Sequence, residues 1–188
     1  MVEFGLRELH SYQEVHELMD KRIDLGYVGI RFPEVESELV FECVRQSPFW
    51  VALPPGHRLV KQRITLRALQ NETFISLRRA IPAYHNWLMN LWRSSGFVPS
   101  SSILQEEPDG APSLLGLVSA GFGVALVPET FRKLLSVEIE FRPLASTIPA
   151  FDFHIAWHRD NESSLLHAFL EMAREHVRAE AEAAKKLH

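Results

Sequence analysis

The chain has 188 residues, 46% of them hydrophobic and 23% charged, a globular composition with material for one domain or two small lobes. A formal net charge of −4 argues against general attraction to nucleic acid or an anionic membrane, and a single cysteine, Cys43, excludes an internal disulfide. Glu3, Arg7 and Glu8 stand where a signal peptide needs its apolar core, so a cytoplasmic location is expected.

Val2–Leu9 alternates Val2, Phe4 and Leu6 with Glu3, Gly5 and Arg7, a strand pattern. Ser11 to Arg22 is predicted helical: Ser11 and Glu14 have capping-box spacing, and Val15, Leu18 and Met19 share a face. Leu25–Ile30 is a second strand and closes a strand–helix–strand unit. Glu38–Val44 and Phe49–Leu53 are strands, with Arg45-Gln46-Ser47-Pro48 as the turn between them. One helical turn is expected at Leu66–Leu69 and a strand at Thr73–Leu77. From Pro82 to Ser94, the residues Tyr84, Trp87, Leu88, Leu91 and Trp92 fall at i, i+3, i+4, i+7, i+8. That is an amphipathic helix with Pro82 at its first position and Gly96 closing it.

Ser102–Gln105 is the next strand. The run from Ala111 to Pro128 then lacks any charged residue, yet Gly121, Gly123 and Pro128 interrupt it, whereas a membrane span needs roughly 20 continuous apolar residues. Leu114, Leu117 and Val118 are helix-spaced, Gly121 suits a left-handed cap, and Val124–Val127 is a short buried-strand pattern. The segment therefore predicts helix, glycine corner and parallel strand. A short helix at Phe131–Leu135, strands at Val137–Arg142 and Phe151–Trp157, and a long final helix with a solvated Ala/Glu/Lys tail complete the chain.

The segments beginning at Val2 and at Ser101 repeat one element order, which implies two lobes of similar α/β design. The expected division is 1–69 plus 151–188 for lobe I and 70–150 for lobe II, with ligand in a cleft at the carboxyl ends of the strands. Helix starts lie at those strand ends: Ser11, then Pro82-Ala83-Tyr84 preceded by Arg78 and Arg79, then Pro108–Ser113. Unpaired N–H groups and the positive end of a helix dipole attract carboxylates, although such starts also serve simply as caps. Arg78 is read as facing ligand or solvent, and Tyr84 as a packed aromatic or a ligand donor.

Enzyme motifs are absent: no nucleophile elbow, Walker loop or G-x-G-x-x-G occurs. His154 and His158 lie on a strand pattern about 13 Å apart by strand rise, so no shared metal is expected. His57 belongs to a surface turn, and Cys43, alternating with Phe41, is expected buried and inert. No catalytic residue, metal or cofactor is predicted.

An ordered set of motifs resembles the effector-binding domain of LysR-type transcriptional regulators. It comprises Arg22-Ile-Asp-Leu-Gly-Tyr-Val-Gly29, Ala52-Leu-Pro-Pro-Gly-His-Arg-Leu59, Leu69–Ile75, Gly96-Phe-Val-Pro99 and Leu117–Pro128. The resemblance covers roughly Val2 to Ala173. It implies an α/β fold of two Rossmann-like lobes of the periplasmic-binding-protein type (type 2). Glu8–Ser11, Pro82–Tyr84 and Leu115–Val118 look closest to regulators of aromatic-compound degradation that answer to muconate-type dicarboxylates. In those relatives a hydroxyl residue at the place of Ser11 and main-chain amides around Ala83 and Tyr84 hold effector carboxylates. Together with Arg78 and Pro82 from the helix-start reading, the expected ligand set is Ser11, Arg78, Pro82, Ala83 and Tyr84. The resemblance further implies a homodimer or tetramer, and DNA contact only through a winged helix-turn-helix. That module, and lobe I's first strand and helix, are expected to lie outside this segment. A solute-binding protein of the same architecture is the alternative, and an enzyme on this scaffold a third reading.

Overall fold

The computed structural model describes residues 4–9, 11–29, 31, 33–76, 82–98, 101–104, 110–134 and 138–185. The chain divides into two compact units, Met1–Gln46 with Asp152–His188, and Ser47–Phe151.

The first unit is built on a three-stranded sheet. It contains α1 (Ser11–Met19), β1 (Gly26–Val28), β2 (Leu39–Ser47), β8 (Phe151–His158) and α4 (Ser164–Lys185), with strand order β1-β8-β2. β1 and β8 run antiparallel, with Gly26 opposite Ala156 and Val28 opposite His154. Side chains alternate across β8, and each helix takes one face. Ala156 joins Val15 and Leu18 of α1, Val28 and Leu39 in one buried cluster. Ile155 and Trp157 join Leu166 and Leu170 of α4 in the other. Burying a leucine such as Leu18 or Leu170 fully is worth about 1.5–3 kcal/mol, so these few positions dominate the docking of both helices. Arg174 of α4 grips Glu42 of β2 with two hydrogen bonds of 2.8 and 2.6 Å.

Two expectations for this unit need correction. The predicted strand at Val2–Leu9 is not formed: residues 4–9 have no regular structure, with Leu6 99% and Phe4 72% exposed. Alternation alone does not make a strand; its N–H and C=O groups need a ladder partner, and the sheet order gives this segment none. The turn predicted at Arg45–Pro48 is also absent, because β2 runs on to Ser47 and β3 starts at Phe49. Pro48 lacks an N–H and interrupts the ladder without reversing the chain, and its carbonyl accepts from Glu129 N–H at 2.8 Å.

The second unit contains β3 (Phe49–Leu53), β4 (Thr73–Ser76), α2 (Pro82–Ser94), β5 (Ser101–Leu104), α3 (Gly110–Ser119), β6 (Ala125–Pro128) and β7 (Glu140–Pro143). β3 lies between β6 and β7, antiparallel to both, and β4 pairs parallel with β5. A parallel bridge between Phe74 and Val124 joins the two sheets. Residues 47–69, placed with lobe I in the expected division, belong to this unit because β3 finds both its partners here. The expected single helical turn at Leu66–Leu69 is a 3-10 turn capped by Thr65 Oγ1, which accepts from Ala68 N–H.

The charge-free run from Ala111 to Pro128 is helix, corner and strand, but the strand, expected parallel, pairs antiparallel with β3 and meets β4 in parallel only through the Phe74–Val124 bridge. Leu114, Leu115 and Val118 of α3 bury against Ala52, Ile75, Ala125 and Val127. The helix ends in a Schellman closure: Gly121 N–H donates to Val118 C=O at 2.9 Å and Phe122 N–H to Leu117 C=O at 3.1 Å, with Gly121 at φ 83°. Gly123 then lies so close to the Thr73 carbonyl that a Cβ there would overlap it. Among the described residues no helix is long and apolar enough to cross a membrane.

Candidate functional site

Helix starts are the elements on which the sequence placed ligand binding. Ser11 is the first residue of α1, in the first unit, and Pro82 the first residue of α2, in the second, with Ala83 and Tyr84 in that helix's opening turn. The side chains of Ser11, Pro82, Ala83 and Tyr84, and the whole of Arg78, lie outside the described residues. What the structure does establish is how each helix start is held.

α2 is fixed by aromatic packing along its later turns. Trp92 is 1% exposed and meets Phe74 of β4 edge-on at 4.6 Å between centroids, with Phe97 at 5.4 Å on another side. Trp87 stacks on Phe49 of β3 at 5.0 Å. Aromatic pairs of this geometry add about 0.5–1.5 kcal/mol each beyond their area. Gly96 ends the helix with a second Schellman closure, its N–H donating to Arg93 C=O and that of Phe97 to Trp92 C=O. A 13-residue helix anchored at these points presents the N–H groups of Ala83 and Tyr84, which have no partner within the helix, with an aligned dipole behind them.

α1 is held differently. Glu14, assigned by the capping-box spacing to the helix start, instead accepts the Tyr27 N–H of β1 through Oε1 at 2.6 Å. Its side chain passes over Gly26, where an added Cβ would sit 2.7 Å from that oxygen. Burial pushes the Glu14 carboxyl above its ordinary range, and the Tyr27 hydrogen bond opposes that shift. Glu17 ties Arg22 at 2.7 Å and Arg7 at 2.9 Å, and the Arg22 hydrogen bond holds its carboxyl below the usual range.

A cavity of about 830 Å³ opens in the first unit. Phe4, Leu6 and Leu9 border one side, Tyr27 and Ile155 of the sheet another, and Phe169 of α4 a third. Arg7, Arg22 and Arg45 share its lining with Glu14, Asp24 and Glu180, so neither sign of charge dominates. The sequence did not point to it, because the predicted strand at Val2–Leu9 filled that space on paper.

The other residues singled out from sequence have structural partners or different surroundings. His57 is a cap: its Nδ1 accepts from Leu59 N–H at 3.3 Å and its Nε2 lies 3.3 Å from Glu72. His158 Nδ1 accepts from Asp160 N–H at 3.2 Å. Cys43, expected buried, is exposed. The alternation with Phe41 is real, but the face of β2 they share is only partly covered.

The family model described as the LysR substrate binding domain matches residues 1–178. The HTH-type transcriptional regulator AlsR of Bacillus subtilis (strain 168) is 30% identical over 174 residues, 92% of this chain and 56% of AlsR. The chain thus spans about half the length of the curated relatives it matches. Among solved structures, the BenM effector binding domain with its effector benzoate superposes at a TM-score of 0.76 and 21% identity, over 93% of this chain and 78% of that one. The effector binding domain of QuiR in complex with shikimate does so at 0.75 and 16%, over 90% and 79%. These likenesses establish the fold as the two-lobed, type 2 periplasmic-binding-protein-like α/β fold expected from sequence. AlsR carries a regulator's name, not an enzyme's. With a match running from the first residue to the middle of α4, this chain belongs to the LysR substrate binding domain family.

Proposed function

We propose that the chain is the effector-sensing part of a LysR-type transcriptional regulator and that its effector is a small carboxylate. The observation that carries this reading is the family match over residues 1–178. Support for the carboxylate comes from the anchored start of α2 at Pro82–Tyr84 and from two neighbours of the same fold that hold benzoate and shikimate, both carboxylic acids. The Ser11 hydroxyl and the amides of Ala83 and Tyr84 take the carboxylate oxygens, and Arg78 adds charge. The subfamily is that of regulators of aromatic-compound degradation.

A bound effector acts by its difference in affinity for two arrangements of a homodimer or tetramer, and DNA contact falls to a helix-turn-helix outside these 188 residues. The setting is the cytoplasm.

Calorimetric titration with benzoate and with cis,cis-muconate tests the proposal. Wild type binds at least one of them. Ser11→Ala, losing one charge-assisted hydrogen bond of about 1.5–3 kcal/mol, binds roughly 10- to 150-fold more weakly. A folded chain that binds neither acid, nor any related aromatic acid, refutes the carboxylate assignment.

A further inference from the structure

β2 and β8 are neighbours in the first unit's sheet, and they bring three different donor groups together. Asp152 and His154 are two apart on β8 and so share a face. Cys43 comes from β2. The Cys43 sulfur, an Asp152 carboxylate oxygen and a ring nitrogen of His154 all lie within 4.8 Å of one another. We propose that Cys43, Asp152 and His154 form a binding site for one zinc-class divalent cation, clasping β2 to β8.

Geometry and chemistry both support the assignment. Tetrahedral zinc with Zn–S near 2.3 Å and Zn–N or Zn–O near 2.1 Å sets its donors roughly 3.4–3.6 Å apart, so small side-chain rotations close the present spacing. His154 is 95% buried, being 5% exposed, and its Nδ1 has no hydrogen-bond partner. A buried polar atom left unpaired is unfavourable, and a metal bond to that nitrogen would relieve it. Asp152 is already oriented, since its Oδ1 accepts from the Gln46 amide at 3.0 Å. That contact plays the part of an outer-shell support for a ligand. Thiolate, carboxylate and neutral imidazole carry two negative charges against a divalent cation, and a mixed S/N/O set suits zinc better than magnesium or calcium.

Arg31 lies close enough to His154 and Cys43 for its charge to be felt at both. Arg31 works against a cation here, and its ion pair with Glu36 at 2.7 Å offsets part of that charge.

The presence of one cysteine among nine histidines makes the test specific. Cobalt(II) is titrated into the reduced 188-residue chain. A sulfur-to-cobalt charge-transfer band saturating at one equivalent and displaced by zinc supports the site, because only Cys43 can supply the sulfur. Asp152→Asn and His154→Gln each weaken cobalt affinity tenfold or more in chains whose circular dichroism is unchanged. If His154→Gln unfolds, Asp152→Asn alone decides. Absence of the band at one equivalent, or a band of unaltered affinity in Asp152→Asn, overturns the proposal and leaves adventitious binding only.

Discussion

Adding one methyl group at two glycines seven residues apart should move stability in opposite directions. At Gly123 a Cβ would overlap the Thr73 carbonyl oxygen and come within 3.2 Å of Ile75 Cγ1. The first of these neighbours is backbone and cannot rotate away. Relief therefore requires parting β4 from the strand entering β6, where Val124 N–H donates to Thr73 C=O at 2.9 Å and Ile75 N–H to Val124 C=O at 2.8 Å. Overpacking costs about 1–3 kcal/mol and each weakened hydrogen bond about 0.5–1.5, so Gly123→Ala should lose roughly 2–4 kcal/mol. For a chain of this size that is a drop in Tm of roughly 5–15 °C. Gly116 lies inside α3 with nothing within 4 Å of an added Cβ, and Gly116→Ala should gain about 0.5–1 kcal/mol by helix propensity. Urea unfolding followed by circular dichroism reads both changes. A Gly123→Ala chain within about 0.5 kcal/mol of wild type would refute the close approach and with it the bridge between the two sheets.

Other substitutions probe the remaining features. Trp92→Ala should cost about 3–5 kcal/mol by emptying the contact between α2 and β4, measured by the same unfolding, and a loss below about 1 kcal/mol would contradict its burial. Lys21 caps α1 at φ 55° without being glycine, so Lys21→Gly should leave stability unchanged or raise it by up to about 1 kcal/mol. The Glu14 carboxyl is raised in the folded chain, so its ionisation opposes folding: its contribution is favourable at low pH and is lost as pH rises through the folded pKa. Glu14→Gln, which keeps the acceptor for Tyr27 N–H, should therefore raise Tm at neutral pH, with the gain vanishing in acid. Glu42 has the opposite sign: Arg174 holds its carboxyl low, so its contribution is present above the ordinary value of 4.5 and fades as pH falls through the folded pKa. Arg174→Gln should flatten that acid limb of a Tm-against-pH curve.

Helices were legible in the sequence wherever a stripe of apolar residues ended in a glycine. The spacing of Trp87, Leu88, Leu91 and Trp92 with Gly96 gave the bounds of α2, and Leu114, Val118 and Gly121 those of α3 to within a few residues. These are local signals, complete within a dozen residues. Strands were legible only where a partner existed: the alternation at Val2–Leu9 is as good as that of β8, but pairing is a property of distant chain. The boundary between the units was misplaced for the same reason, since β3 is assigned by its pairing with β6 and β7, some 75 to 95 residues further on. Of the candidate site, the helix starts could be read from Ser11 and Pro82, whereas Cys43, Asp152 and His154 could not be grouped. More than a hundred residues separate the first from the others, and only strand adjacency unites them.

The Schellman closure at Gly121 also fixes how many residues the chain spends between Leu117 and Val124. Insert one residue in that corner and Gly123 no longer arrives opposite the Thr73 carbonyl, while Ala125 and Val127 turn away from the α3 face they pack on and Leu126 turns onto it. Delete one and the same inversion follows. Length there is as constrained as identity: descendants of this sequence can trade one apolar side chain for another across α3 and β6, but they cannot change the residue count of the bend that joins them.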